Sequence, residues 1–247
     1  MEMSEKIAVE CAGVSKLYDK KRVLDNVSFT AETGEIFSII GPSAAGKTTL
    51  LRILAALEKP DKGSVKVLGI QAYKNPASDI KIRKTLGYIQ QKTVMLRGTI
   101  RENIALPLKM RGYDEAEIKT RVEDVASQHG IADILKKSAR KVSGGEAQRA
   151  AFARSTVFGP KVLLLDEFTA NLDPANSEIL EKAVMDFRAK GGCVVLVSHN
   201  ILQVKRLGDR VGILIGGKMI ETGNVKDVFS CPKNELTGKF LSGEMVW

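Results

Sequence analysis

Short apolar runs alternate with longer amphipathic stretches along most of the chain. Ile36-Phe37-Ser38-Ile39-Ile40, Val162-Leu163-Leu164-Leu165 and Val194-Val195-Leu196-Val197 are too short for helices and apolar on both faces, so they read as strands buried within a parallel sheet. Each ends in a polar or glycine-rich turn, and the alternation with helical patterns predicts an α/β fold with a mostly parallel sheet. Between residues 95 and 158 the strand signal disappears, and Ile118 to Ala126 and Ala147 to Val157 read as helices. The pattern predicts one domain: an α/β core over residues 1–91 and 159–247, with a helical subdomain over 92–158 inserted in it. Near the end, Val211-Gly212-Ile213-Leu214-Ile215, a Gly216-Gly217 turn and Lys218-Met219-Ile220-Glu221 form the pattern of a hairpin. Asp227-Val228-Phe229 is expected in a short closing helix.

A chain of 247 residues with 44% hydrophobic content is long enough to bury a sizeable core. It has no run near the roughly 18 apolar residues of a spanning helix. Met1 to Ile7 carries Glu2, Glu5 and Lys6 rather than a basic-then-apolar leader. The expectation is a protein made in the cytosol. Cys11, Cys193 and Cys231 lack metal-ligand spacing and are expected to be plain thiols. The net charge of +9 favours anionic partners in general, but 5% aromatic content offers no stacking surface, so nucleic acid is not expected.

Candidate chemistry begins directly after the first buried run. Gly41-Pro42-Ser43-Ala44-Ala45-Gly46-Lys47-Thr48 fits the phosphate-loop pattern, with Thr49 and an apolar helical stretch behind it. Phosphates need several backbone N–H groups aimed at one spot, which a glycine-rich turn opening a helix supplies. Lys47 would reach the terminal phosphates and the Thr48 hydroxyl would ligate Mg²⁺. Ala44 stands where such loops often carry glycine. The second buried run ends in Asp166-Glu167, at the carboxyl end of a strand, where open α/β sheets bind ligands. There Asp166 is expected to hold Mg²⁺ and Glu167 to act as general base toward the attacking water.

Val142-Ser143-Gly144-Gly145-Glu146-Ala147-Gln148-Arg149 resembles the signature motif of ATP-binding-cassette ATPases, with Val for Leu and Glu for Gln. Its Ser143, Gly144 and Gly145 open a helix and make a second phosphate-facing group. The resemblance covers nearly the whole chain in the family's order. It implies a P-loop NTPase fold with an N-terminal antiparallel β portion. It also implies ATP and Mg²⁺, with Tyr18 stacking on adenine and Gln91 touching Mg²⁺ and the water; Gln90 leaves that assignment one residue wide. Ser143, Gly144, Gly145 and Glu146 would face the partner's nucleotide, Asp173 the other subunit, and His199 the γ-phosphate. His129, in a helical stretch without a motif, is expected at the surface. Phe168 stands where the family commonly has proline, which bears on the rigidity of the turn that aims Glu167.

The same resemblance implies an ATP-dependent head-to-tail dimer with separate membrane permease subunits docking near Gln91 and the segment Met95 to Leu108, and a solute-binding protein acting indirectly. The expected place is the cytoplasmic face of the membrane. Leu96-Arg97-Gly98-Thr99-Ile100-Arg101-Glu102-Asn103-Ile104 and the ending Phe240-Leu241-Ser242-Gly243-Glu244-Met245-Val246-Trp247 resemble importer cassettes for phosphate-like or tungstate-type oxyanions, with polar amino-acid importers close in pattern. Export, lipoprotein release and non-transport cassettes stay open at this point, as does a metabolic kinase, which would leave Ser143-Gly144-Gly145 and Asp173 unexplained.

Overall fold

The computed structural model describes residues 6–170 and 172–244. Strands β1 (Ile7–Tyr18) and β2 (Lys21–Glu32) form a long antiparallel pair whose register shifts at several bulges. β3 (Ile36–Ile40) is buried at every position and leads through the phosphate loop into α1 (Lys47–Leu54). β4 (Lys62–Val67) and β5 (Ile70–Gln71) complete an antiparallel sheet of order β2-β1-β4-β5, in agreement with the N-terminal β portion expected. Then come α2 (Pro76–Thr85) and β6 (Leu86–Ile89). The segment where the strand signal fades holds α3 (Ile100–Lys109), α4 (Glu115–Gln128) and α5 (Gly144–Thr156). β7 (Val162–Asp166), α6 (Pro174–Ala189), β8 (Cys193–Val197) and α7 (Ile201–Leu207) return the chain to the core. The predicted hairpin is β9 (Arg210–Ile215) with β10 (Lys218–Asn224), followed by α8 (Val225–Ser230) and α9 (Glu235–Leu241).

The second sheet runs β10-β9-β3-β8-β7-β6, parallel throughout except for the edge strand β10. Both faces are covered, which is why its strands read as continuous apolar runs rather than alternating ones. Phe37, Leu164 and Val195 join one cluster with α1 and the antiparallel sheet, where Phe29 stacks on Phe37 at 4.7 Å between ring centroids. Leu163, Leu165 and Leu196 face the other way, toward Phe152, Phe168 and Leu180. α3, α4 and α5 bury a separate cluster of their own around Ile104, Val122 and Ala153. Because β3, β6, β7 and β8 are parallel, their carboxyl ends lie along one edge of the sheet, and the loops that follow them meet there. Among the described residues no helix is long and apolar enough to cross a membrane.

Candidate functional site

At the end of β3 the chain turns through Ala44, which takes the left-handed conformation at φ 61°, and Gly46, at φ 99°. A Cβ at Gly46 would meet the Val23 carbonyl at 2.7 Å, so glycine is required there twice over, by backbone angle and by space. Ala44 adopts the glycine-like angle at a steric cost of about 1 kcal/mol. α1 then starts without a side-chain cap or an acidic residue in its first turn. Its first N–H groups point into the loop, the arrangement that receives an anion. Lys47 is buried and donates to the carbonyl oxygens of Gly41 at 2.8 Å and Pro42 at 2.7 Å. Burial lowers its pKa, and the charges of Glu167 and Asp166 act against that shift.

Asp166 ends β7 with only 3% of its surface exposed. Burial raises its pKa, while a hydrogen bond from the Thr48 hydroxyl opposes the rise. Loop and acidic strand end therefore meet through Thr48 and Asp166. The next residue, Glu167, has φ 46°, a left-handed turn that swings its side chain out of the strand direction. Its backbone N–H donates to the Val197 carbonyl at 2.9 Å, tying the turn to the end of β8.

Two loops converge on the Glu167 carboxylate. Gln91, beyond β6, donates its amide to Oε2 at 2.5 Å, and His199, beyond β8, brings Nδ1 to 3.2 Å from the same oxygen. The second pairing requires the proton on Nδ1. Oε1 accepts no hydrogen bond among the described residues. A carboxylate held by one oxygen and open at the other can take a proton from a water lying against it. Of the two adjacent glutamines, Gln91 makes this contact.

Phe168 replaces a common proline with a buried ring in the cluster around Leu165 and Leu180. Its carbonyl accepts the Nε2 amide of buried Gln148, from α5, at 2.6 Å. Packing and this bond hold the turn. Ser143 is the N-cap of α5: its hydroxyl accepts the Glu146 N–H at 3.2 Å, and the Glu146 carboxylate accepts the Ser143 N–H at 2.7 Å. Glu146 also lies 3.6 Å from the Lys137 ammonium. Gly145 packs tightly against Asn176, whose amide in turn bonds Asp173 at 2.5 Å. Asp173 caps α6 by accepting the Asn176 N–H at 2.9 Å. Asn171, in the stretch Ala170-Asn171-Leu172-Asp173, lies outside the described residues, as do Met245-Val246-Trp247 of the ending compared above.

Tyr18 closes β1, half exposed, with its hydroxyl donating to Glu58 and interacting with Thr49. The surface reading of His129 is overturned. Its side chain is 5% exposed and meets the Phe152 ring edge-on at 5.2 Å, and burial lowers its pKa to about 4. The helix α4 ends there, and the chain turns inward across α5, so His129 faces the packing rather than the solvent. Its carbonyl and that of Gly130 accept the Arg149 guanidinium. Thr169, Ser198 and Gln203, which surround the Glu167–His199 pair, had no sequence signal: they are ordinary polar residues at no diagnostic spacing.

A family model described as ABC transporter matches residues 24–170, more than half of the chain. The chain belongs to that family. It is an ATP-binding ATPase with the cassette's α/β P-loop fold. It is 37% identical over 246 residues to a phosphate import ATP-binding protein of Natronomonas pharaonis, covering 96% of this chain and 87% of the relative. It is 37% identical to a molybdate/tungstate import ATP-binding protein of Pyrococcus horikoshii, covering 94% of this chain and 67% of the relative. A methionine import ATP-binding protein of Listeria monocytogenes is 35% identical, at 96% and 72% coverage. Among solved structures, a dimeric bacterial ABC transporter cassette superposes with a TM-score of 0.82 at 28% identity, over 88% of this chain and 98% of that one. A dimeric post-hydrolysis state of the same cassette, bound to ADP and Pi, gives 0.81 at 28% identity, again over 88% and 98%.

Proposed function

We propose that two copies of this cassette close head-to-tail over two ATP molecules and that hydrolysis drives import of an oxyanion through separate membrane permease subunits. The observation that carries the catalytic reading is the Glu167 carboxylate, held at Oε2 by Gln91 and His199 with Oε1 left open. In this reading Glu167 Oε1 takes the proton of the attacking water, Gln91 and His199 orient the carboxylate, and His199 reaches the γ-phosphate. Gly41, Pro42, Ser43, Ala44, Ala45, Gly46 and Thr49 wrap the phosphates with backbone and hydroxyl donors. Lys47 leaves its two carbonyl partners to pair with the terminal phosphates, a move its strained desolvation favours. Tyr18 covers the adenine.

Thr48 and Asp166 meet in the structure, and with Gln91 they offer the oxygen donors that Mg²⁺ prefers. Bound there, Mg²⁺ would neutralise charge developing on the transferred phosphoryl group.

The head-to-tail arrangement rests on Ser143, Gly144 and Gly145, phosphate-suited groups at a helix start separate from the loop of their own chain, and on Asp173 beside them. The dimeric state of the similar cassette supports it. The reading of a core over 1–91 and 159–247 with an inserted helical subdomain over 92–158 is supported by the hydrophobic cluster that α3, α4 and α5 bury among themselves. Oxyanion import is supported by the phosphate relative, matched at 37% identity over 96% of this chain and 87% of the relative, with a polar amino acid the alternative that the methionine import relatives at 35% and 38% support. The permease subunits and an indirect solute-binding partner would place the chain at the cytoplasmic membrane face.

Glu167→Gln tests the core of this reading. We expect ATP binding to persist, hydrolysis to fall by about 100-fold or more, and an ATP-trapped dimer to appear in size-exclusion chromatography. Wild-type turnover by that variant would remove Glu167 as the base.

A further inference from the structure

His199 and Glu167 belong to different loops, and their 3.2 Å approach depends on what holds those loops in register. The group that bridges them is Gln203, on α7, with 1% of its surface exposed. Its Oε1 accepts the Ser198 hydroxyl at 2.8 Å, next to His199. Its Nε2 donates to the Thr169 hydroxyl at 2.7 Å, two residues after Glu167, and to Glu181 Oε1 at 3.0 Å. The Ser198 hydroxyl also accepts the Asn200 N–H at 3.0 Å, and the Asn200 side chain accepts the Gln203 N–H at 3.0 Å, closing a ring around the His199 loop. On the far side Glu181 is paired twice with Arg206.

A primary carboxamide suits this place because it has one acceptor end and two donor hydrogens on a rigid plane. The acceptor faces the His199 loop; the donors face the Glu167 turn and α6. With Gln203 and Ser198 buried and both ends of the carboxamide bonded, the network over-determines the position of both loops. The ends of β7 and β8 are also joined by the Glu167 N–H to Val197 carbonyl bond, so Gln203 fixes the side-chain layer above an already fixed backbone layer. We propose that Gln203 is a positioning residue for ATP hydrolysis, setting His199 against the Glu167 carboxylate without touching nucleotide. The inference rests on Glu167 acting as base.

Steady-state ATPase kinetics on the full chain test it with Gln203→Leu and Gln203→Glu. Gln203→Leu is expected to lower kcat by about 10- to 100-fold, the cost of loosening a catalytic contact by an ångström, while KM for ATP stays within about twofold. Gln203→Glu supplies an independent reading should the leucine variant not fold. Its new carboxylate faces Glu181 where an amide donated, with Arg206 behind Glu181 and with Glu167 and His199 across the turn. Two carboxylates at that distance share a proton more readily as pH falls. Activity relative to wild type should therefore recover between about pH 8 and pH 6. A flat relative profile, or wild-type kcat in both variants, overturns the inference. Glu167→Gln run in parallel separates the two levels. If it hydrolyses normally, the base reading fails and takes this inference with it; if it is inactive while both Gln203 variants are normal, only the positioning role fails.

Discussion

Behind the phosphate loop, α1 begins with no side-chain cap, whereas behind Val142-Ser143 the helix α5 begins inside a closed capping box. Both helix starts suit an anion, yet they stand in different company. The α1 start shares its sheet edge with Asp166, Glu167 and, through Glu167, with Gln91 and His199. At the α5 start the Ser143 side chain and N–H bond to Glu146, and no acid–base partner from another loop meets them among the described residues. In the capping box Ser143 Oγ accepts the Glu146 N–H, and its own proton bonds the Glu146 carboxylate, so a phosphate at this helix start would compete with Glu146 for it. One region is a site complete in acid–base groups; the other is a set of oriented donors without them. Separate halves of that kind are economical when each completes a site on a second copy.

Mixing two defective chains tests that difference most sharply. Lys47→Ala disables the α1 start, and Gly145→Asp puts a carboxylate at the α5 start, where a Cβ already crowds Asn176. Each alone should lose about 100-fold in hydrolysis. In the mixed dimer both defects fall on one composite site and the other site is intact. With random pairing, half the dimers are mixed, so ATPase activity should recover to roughly a quarter of wild type. No recovery on mixing would mean that the two helix starts serve the same chain.

The complete half was the more legible in sequence. Its strands are buried on both faces and appear as unbroken apolar runs, and the groups at their ends follow a spacing that phosphate geometry dictates. The helical segment was legible as helices but not in its packing. His129 reads from sequence as a solvent-facing side chain because a lone histidine at a helix end carries no period, and only the return of the chain across α5 buries it. The shifts in β1–β2 register come from bulges that leave no pattern in a strand's alternation. Gln148 and Gln203 escaped functional reading for a related reason. Their partners, Phe168, Ser198 and Thr169, become neighbours only once β7, β8 and the helices are packed.

His129 offers a second, smaller way to separate the two regions, since it lies under α5 and far in sequence from α1. Its pKa is pushed from 6.5 down to about 4, so the unfolded chain binds a proton through that interval and the folded chain does not. Stability then rises with pH across the window and falls on acidification through it. Between pH 7 and pH 5 the loss attributable to this group is about 2 kcal/mol. Urea unfolding of wild type and His129→Leu at both pH values checks it: the wild type should lose about 2 kcal/mol more than the variant. Equal losses would mean that His129 is protonated without cost in the fold.

The smallest effect concerns the residue that departs from the family's usual glutamine. Glu146 is held ionised by the Ser143 N–H, first, and by the Ser143 hydroxyl and Lys137, so its pKa is lowered and it carries a full charge at neutral pH. That charge complements the α5 dipole but opposes an incoming phosphate at the same helix start. A glutamine there still closes the capping box through its side-chain carbonyl, while its amide adds a donor and the repulsion is gone. Glu146→Gln should therefore change unfolding stability by no more than about 0.5 kcal/mol and lower KM for ATP about twofold. The gain should shrink as salt is raised, because an exposed charge is screened within roughly 10 Å at 0.1 M. A KM that does not move at low salt would indicate that the α5 start, despite its donors, never faces a nucleotide, and the contrast with α1 would then be one of fold alone.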